Sequence, residues 1–153
     1  MDLGKRIDEI NMMSKDQIKK IAKADVVDIL REFTTIYKTT DLFEKHNLMP
    51  WELLLRLSYA AIAGDNKINV HEYDLFVELT NGLIDKPTPK KLTEEIKNCD
   101  LPSTINILDD FIDTLGKKMA PLKDKIVEYA ICFTAIDGII DTSELFFLRK
   151  LAE

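Results

Sequence analysis

Histidine, cysteine and glycine are scarce in this sequence, and each scarcity removes a class of chemistry. The two histidines, His46 and His71, form no His-Glu-x-x-His pair and stand at no zinc-closing distance from a cysteine. Cys99 lies in a polar stretch and Cys132 in an apolar one, so both read as reduced thiols rather than a disulfide framework. Five glycines make no phosphate-cradling loop. Basic residues are outnumbered, 21 Lys and Arg against 27 Asp and Glu, for a net charge of −6. That balance argues against a nucleic-acid partner and gives little attraction to an anionic membrane. The longest apolar stretches contain Glu52, Arg56 and Glu128 and are too short to span a bilayer. The stretch from Met1 to Ile7 lacks the apolar core of a signal peptide, so a cytoplasmic location is expected.

What is present is helical periodicity. Ser14-Lys15-Asp16-Gln17 is a capping box that opens a helix with Ile18, Ile21, Ala22, Val26, Ile29, Leu30 and Phe33 on one face. This helix is predicted to run to about Tyr37, with a candidate break near Asp25. Pro50 stands at the first turn of a second helix that reaches Ala63. Asn69 or Val70 opens the next, which ends near Asn81-Gly82. A polar helix is predicted over 89–98, an amphipathic one from Pro102 to Gly116, an apolar one over 121–136 and a last one from Asp141. The fold class read from this pattern is all-α, a single-domain bundle of about seven to eight helices. The helices 50–64 and 121–136 are apolar on most faces, which places them at its centre.

A short acidic pattern occurs twice. The first copy is Ala63-Gly64-Asp65-Asn66-Lys67-Ile68-Asn69-Val70-His71-Glu72, and the second is Ala135-Ile136-Asp137-Gly138-Ile139-Ile140-Asp141-Thr142-Ser143-Glu144. A shift of 72 positions, from Asp65 to Asp137, overlays Ala, Asp, Ile and Glu and carries Leu79 onto Leu151. The repeat divides the chain into an N-terminal helical extension (1–44), a first repeat (45–82), connecting helices (83–116) and a second repeat (117–153). The two repeats are read as pseudo-symmetric helix hairpins sharing one core.

Each copy admits two chemical readings. In the first, Asn69 to Glu72 and Asp141 to Glu144 are capping boxes, and the Glu returns to the backbone amide that starts its helix. In the second, Asp65, Glu72, Asp137 and Glu144 supply oxygen ligands to a hard divalent cation such as calcium, magnesium or manganese. Asp-Gly-x-Ile-x-x-x-Glu matches the second half of an EF-hand loop. The first half fails, because Ala61 and Ala63, or Phe133 and Ala135, occupy its first ligand positions. His71 reads as a solvated residue at a helix start and His46 as a surface residue in a polar turn. Lys90, Lys91 and Lys97 read as a salt-bridged surface beside Glu94 and Glu95, and Trp51 and Tyr59 as packing residues.

Paired Ala-x-Asp-Gly-x-Ile-x-x-x-Glu loops after apolar helices resemble the tellurite-resistance TerB family. The match covers about residues 45–153 and is best from Thr134 to Leu145; the first copy has Gly64-Asp65-Asn66 where the family pattern reads Ala-Asp-Gly. The resemblance implies an all-helical fold of two related halves and a stress-response setting. It also implies metal binding or protein interaction without catalysis. The expectation is a non-catalytic module, monomeric or homodimeric, that takes a divalent cation, a protein partner or both. The alternative is a structural adaptor whose acidic loops are only helix caps.

Overall fold

The Ser14 capping box is formed in full. The Gln17 amide donates to Ser14 Oγ at 3.2 Å, and the Ser14 amide donates to Gln17 Oε1 at 3.0 Å. In the structure, a computed structural model, this box starts the longest helix. The structure describes residues 2–62, 70–80 and 101–137, with the side chains of 59–62, 70–73, 101–103, 105 and 137 excepted. Among the described residues there are six helices of nine residues or more and no strand. They are α1 (Leu3–Asn11), α2 (Lys15–Thr39), α4 (Pro50–Ile62), α5 (Val70–Leu79), α6 (Leu101–Leu115) and α7 (Ala120–Asp137). A single-turn helix α3 (Leu42–Lys45) follows α2, and a 3-10 turn (Gly116–Met119) joins α6 to α7. The all-α class is as expected. The predicted helices over 89–98 and from Asp141 lie outside the described residues.

The long apolar stripe of α2 makes it a core element. Ala22, Val26, Ile29 and Phe33 are fully buried, and α2 packs most extensively against α7. Within the 1–44 segment, α2 therefore lies in the core. The candidate break near Asp25 is absent: α2 runs unbroken through that residue. Asp and Asn interrupt helices when their side chains compete for the local backbone, but the Asp25 carboxyl is turned away toward α7, where its partners are Glu128 and Lys125. The helix ends at Thr40, whose amide and hydroxyl both donate to the Ile36 carbonyl, at 2.9 and 2.8 Å.

Helix α7 is the central strut. Ile126, Val127 and every residue from Tyr129 to Thr134 are buried, which a helix allows only when neighbours cover more than one face. Here α1, α2 and α4 do so. Its buried hydroxyl at Thr134 donates to the Ala130 carbonyl, and the Tyr129 hydroxyl bonds Ser58 on α4 at 2.5 Å. Ser58 in turn donates to the Leu54 carbonyl at 2.9 Å, so these buried polar groups are satisfied inside the protein. An aromatic chain closes the other end of the core. Phe43 of α3 meets Phe33 edge-on at 5.7 Å between ring centres and Phe111 of α6 at 5.1 Å. Gly116 ends α6 at φ +56°, the left-handed conformation that glycine adopts without strain. Among the described residues no helix is long and apolar enough to cross a membrane.

Candidate functional site

Of the four acidic residues predicted to form a cation site, Asp65 and Glu144 lie outside the described residues. Glu72 is the third residue of α5, and Asp137 is the last residue of α7; their side chains lie outside the described residues too. The position of Glu72 is the N3 position that a capping box requires, with Asn69 preceding the helix. Ala63 and Ala135, which open the two copies, fall respectively outside the described residues and on the half-buried C-terminal end of α7.

The chemistry visible in the described residues is concentrated elsewhere, where α1, α2 and α7 meet. Asp25 of α2 is 1% exposed. Its carboxyl neighbours that of Glu128 on α7, and its Oδ2 is buried without a hydrogen-bond partner. Lys125, one turn earlier on α7, stands 3.7 Å from Asp25 and 3.4 Å from Asp28. On the other side, Arg6 of α1 donates to Glu128 Oε2 through Nε at 3.0 Å and through a terminal nitrogen at 2.6 Å. Arg6 also reaches Glu9 at 2.9 Å.

Two neighbouring buried carboxyls disfavour ionising together, so one of them is pushed toward its protonated form. Burial, then the neighbouring Glu128, push the Asp25 carboxyl up to about 8, against a smaller opposing pull from Lys125. Glu128 moves the other way. Its burial would raise it, but the hydrogen bonds from Asp25 and Arg6 outweigh that and hold it ionised. Near neutral pH the pair therefore carries one proton, on Asp25, and one negative charge, on Glu128. Arg6 stays charged: burial works against it, and the bonds to Glu128 and Glu9 more than compensate. Lys125 is raised above its ordinary range, chiefly by Asp25 once that carboxyl is ionised and also by Asp28. Cys132, one turn beyond Glu128, is buried and free, and its thiol is pushed up to about 12 by burial and then by the two nearby carboxyls. That excludes it as a nucleophile in the folded protein.

A cleft of about 280 Å³ opens beside this network, lined by Asp28, Arg31, Glu32, Lys118, Pro121, Leu122 and Lys125. Lys125 belongs to both, but Asp25 does not line the cleft. A second ionic cluster ties α3 to α6. His46 Nε2 is 2.7 Å from Asp110 Oδ2, and Lys45 is 3.0 Å from the same oxygen. Hydrogen bonds from Lys45 and His46 hold Asp110 below the usual carboxylate range. His46, expected as a surface residue in a polar turn, is half-buried there, because α6 brings Asp110 against the turn that follows α3. Trp51 packs against the core as expected. The side chains of Tyr59 on α4 and His71 on α5 lie outside what is described, as do Cys99 and the Lys90, Lys91 and Lys97 cluster.

Among the described residues no group of three or more histidine, cysteine, aspartate or glutamate side chains is placed to hold a metal ion. No family model, curated protein or solved structure matches the chain.

Proposed function

We propose that this chain is a non-catalytic, TerB-like helical module that binds a divalent cation, a protein partner or both through its two acidic inter-helix segments. Asp65, Glu72, Asp137 and Glu144 would supply the ligands. The observation that carries this reading is the contact between Ser58 and Tyr129. In the 72-residue frame, Ser58 corresponds to Ala130, so α4 and α7 meet within one residue of equivalent positions. Elements related by an approximate two-fold axis meet in this way where they cross it. The contact thus supports a chain built of two related halves around α4 and α7. From it, α4 runs about 6 Å further to Ile62 and α7 about 12 Å further to Asp137, at roughly 1.5 Å per residue.

A role without catalysis is favoured by the burial of the proton-sharing pair. A general acid or base must come within hydrogen-bond reach of its substrate. Asp25, the described carboxyl with the most suitable proton affinity, is enclosed by packed helices and does not line the adjacent cleft. The capping reading has its own support in the N3 position of Glu72 on α5, and the two readings part on one experiment. Chelator-stripped protein is unfolded thermally with calcium, magnesium or manganese added. A cation at about 100 times its dissociation constant adds about 2.7 kcal/mol, a rise of roughly 5–10 °C for a chain of this size. The cation reading predicts that rise and its loss in Asp137→Asn. No rise with any of the three leaves the acidic segments as caps and turns the search to a protein partner.

A further inference from the structure

The cleft of about 280 Å³ between α2 and α7 carries a charge opposite in sign to that of the chain. Three cations line it, Arg31, Lys118 and Lys125, against two carboxylates, Asp28 and Glu32, while the whole chain stands at −6. One wall is the stretch of α2 that holds Asp28, Arg31 and Glu32, whose spacings of three and four residues put them on one helix face. The other wall is the 3-10 turn with Lys118 and the start of α7, where Leu122 is buried and Pro121 and Lys125 are exposed. We infer that this cleft binds a small organic anion, whose carboxylate or phosphate head sits among Arg31, Lys118 and Lys125 and whose apolar body rests against Pro121 and Leu122.

The donors are not used up inside the protein. Arg31 and Lys125 approach different oxygens of Asp28, at 3.7 and 3.4 Å, well beyond the roughly 2.7–2.9 Å of a tight charged hydrogen bond. One carboxylate is thus divided between two cations. Lys125 is also 3.7 Å from Asp25, but that carboxyl is buried and does not line the cleft. Lys118 enters no ion pair among the described residues. Glu32 opposes an anion, yet with it counted the cations still lead by one. A cation entering the cleft would meet three like charges. The negative charge elsewhere on the chain is screened over about 8 Å at physiological ionic strength, so the local excess governs a small ion. A polyanion such as nucleic acid extends far past the cleft and meets the acidic surface. The volume is at the lower end of ligand pockets, which start at roughly 300 Å³, and this restricts the occupant to a small molecule. The lining comes from 28–32 and 118–125 alone, so an anion here is independent of any cation at the acidic segments.

The test titrates the isotope-labelled 153-residue chain with phenyl phosphate and with benzoate, two oxyanions on the same apolar ring, and follows backbone amide signals by NMR. Inorganic phosphate and choline are titrated in parallel. The expected result is saturable shifts confined to 28–32 and 118–125 with at least one ring-bearing anion; the tighter of the two identifies the head. Inorganic phosphate should bind more weakly and choline not at all. Arg31→Ala combined with Lys118→Ala should weaken binding by at least about tenfold, since each removes a charged donor. Lys38→Ala, an exposed lysine of α2 outside the cleft, should leave it unchanged. Arg31 and Lys118 are exposed, so the double variant should fold, and unshifted signals in the rest of the chain verify that it does. Shifts that never saturate, or that spread over lysines outside the cleft, would overturn the site. Undiminished binding by the folded double variant would overturn it too, as would inorganic phosphate bound as tightly as phenyl phosphate or choline bound in place of the anions.

Discussion

Arg6 and Glu128, 122 residues apart in sequence, form the only described ion pair that joins α1 to α7, at 2.6 Å on a carboxylate oxygen that also accepts from the Arg6 Nε. Both side chains are largely covered, so the pair is less screened than a surface bridge. Truncating one partner leaves the other charge half-buried without its donor. Arg6→Gln should therefore cost on the order of 1–3 kcal/mol in chemical denaturation at neutral pH. It should also raise the Glu128 midpoint toward or above the ordinary glutamate value, measurable by carbon NMR. A change within experimental error in both would remove Arg6 from the network.

Asp25 imposes a pH dependence of a definite sign. Its folded-state proton affinity lies above that of an ordinary carboxylate, so the stability that protonation provides is fully present below about pH 4. It is lost as the pH rises toward about 8, at up to about 1.4 kcal/mol per pH unit. Asp25→Asn keeps a donor for Glu128 without the ionisable proton. At pH 9 the variant should be more stable than the wild type by about 1–4 kcal/mol, and its stability should be nearly flat across this range. Urea titrations at several pH values check both statements.

Cys132 should be silent to thiol reagents in the native state. Its sulfur is enclosed, and its thiol is pushed up to about 12. Mass spectrometry after iodoacetamide treatment should find Cys132 unmodified under native conditions and fully modified in denaturant. Rapid native labelling would mean that α7 opens far more readily than its burial implies.

The Tyr129 hydroxyl joins the two central helices. Tyr129→Phe removes its bond to Ser58 and leaves the ring in place, so the loss should be about 0.5–1.5 kcal/mol in urea unfolding. Phe111→Ala, which opens a cavity beside Phe43 and breaks the aromatic chain, should cost about 3–5 kcal/mol. If the two variants cost the same, the Tyr129 ring would have shifted with the loss of its hydroxyl.

The helices were legible where local chemistry and periodicity agree. Ser14 and Gln17 mark one start, Pro50 another, and Gly116 a stop, and each is observed within a residue or so of its predicted place. The central position of α7 followed from an apolar sequence on several faces. The buried network was less legible, because its signal is three isolated charges inside apolar patterns: Arg6 beside Ile7, Asp25 between Ala22 and Val26, and Glu128 between Val127 and Tyr129. A charge at position 25, three residues after Ala22, stands on the buried stripe of α2. Read as a helix break it is misplaced; read as a buried group it demands a partner. That the partner would be another acid, 103 positions away, depends on how α2 and α7 pack, and no local pattern encodes that. His46 was misjudged for the same reason, since Asp110 reaches it only through the packing of α6.

The claim that Asp65, Glu72, Asp137 and Glu144 form one cation site is tested most directly by adding manganese to isotope-labelled protein in sub-stoichiometric amounts. The unpaired electrons of a bound ion broaden nuclear signals near it. A shared site predicts that signals from 65–72 and 137–144 fade together, at the same manganese concentration, while those of α1 persist. It also predicts that Asp137→Asn protects both segments. Fading of one segment without the other, or of neither, would contradict a site built from the two halves.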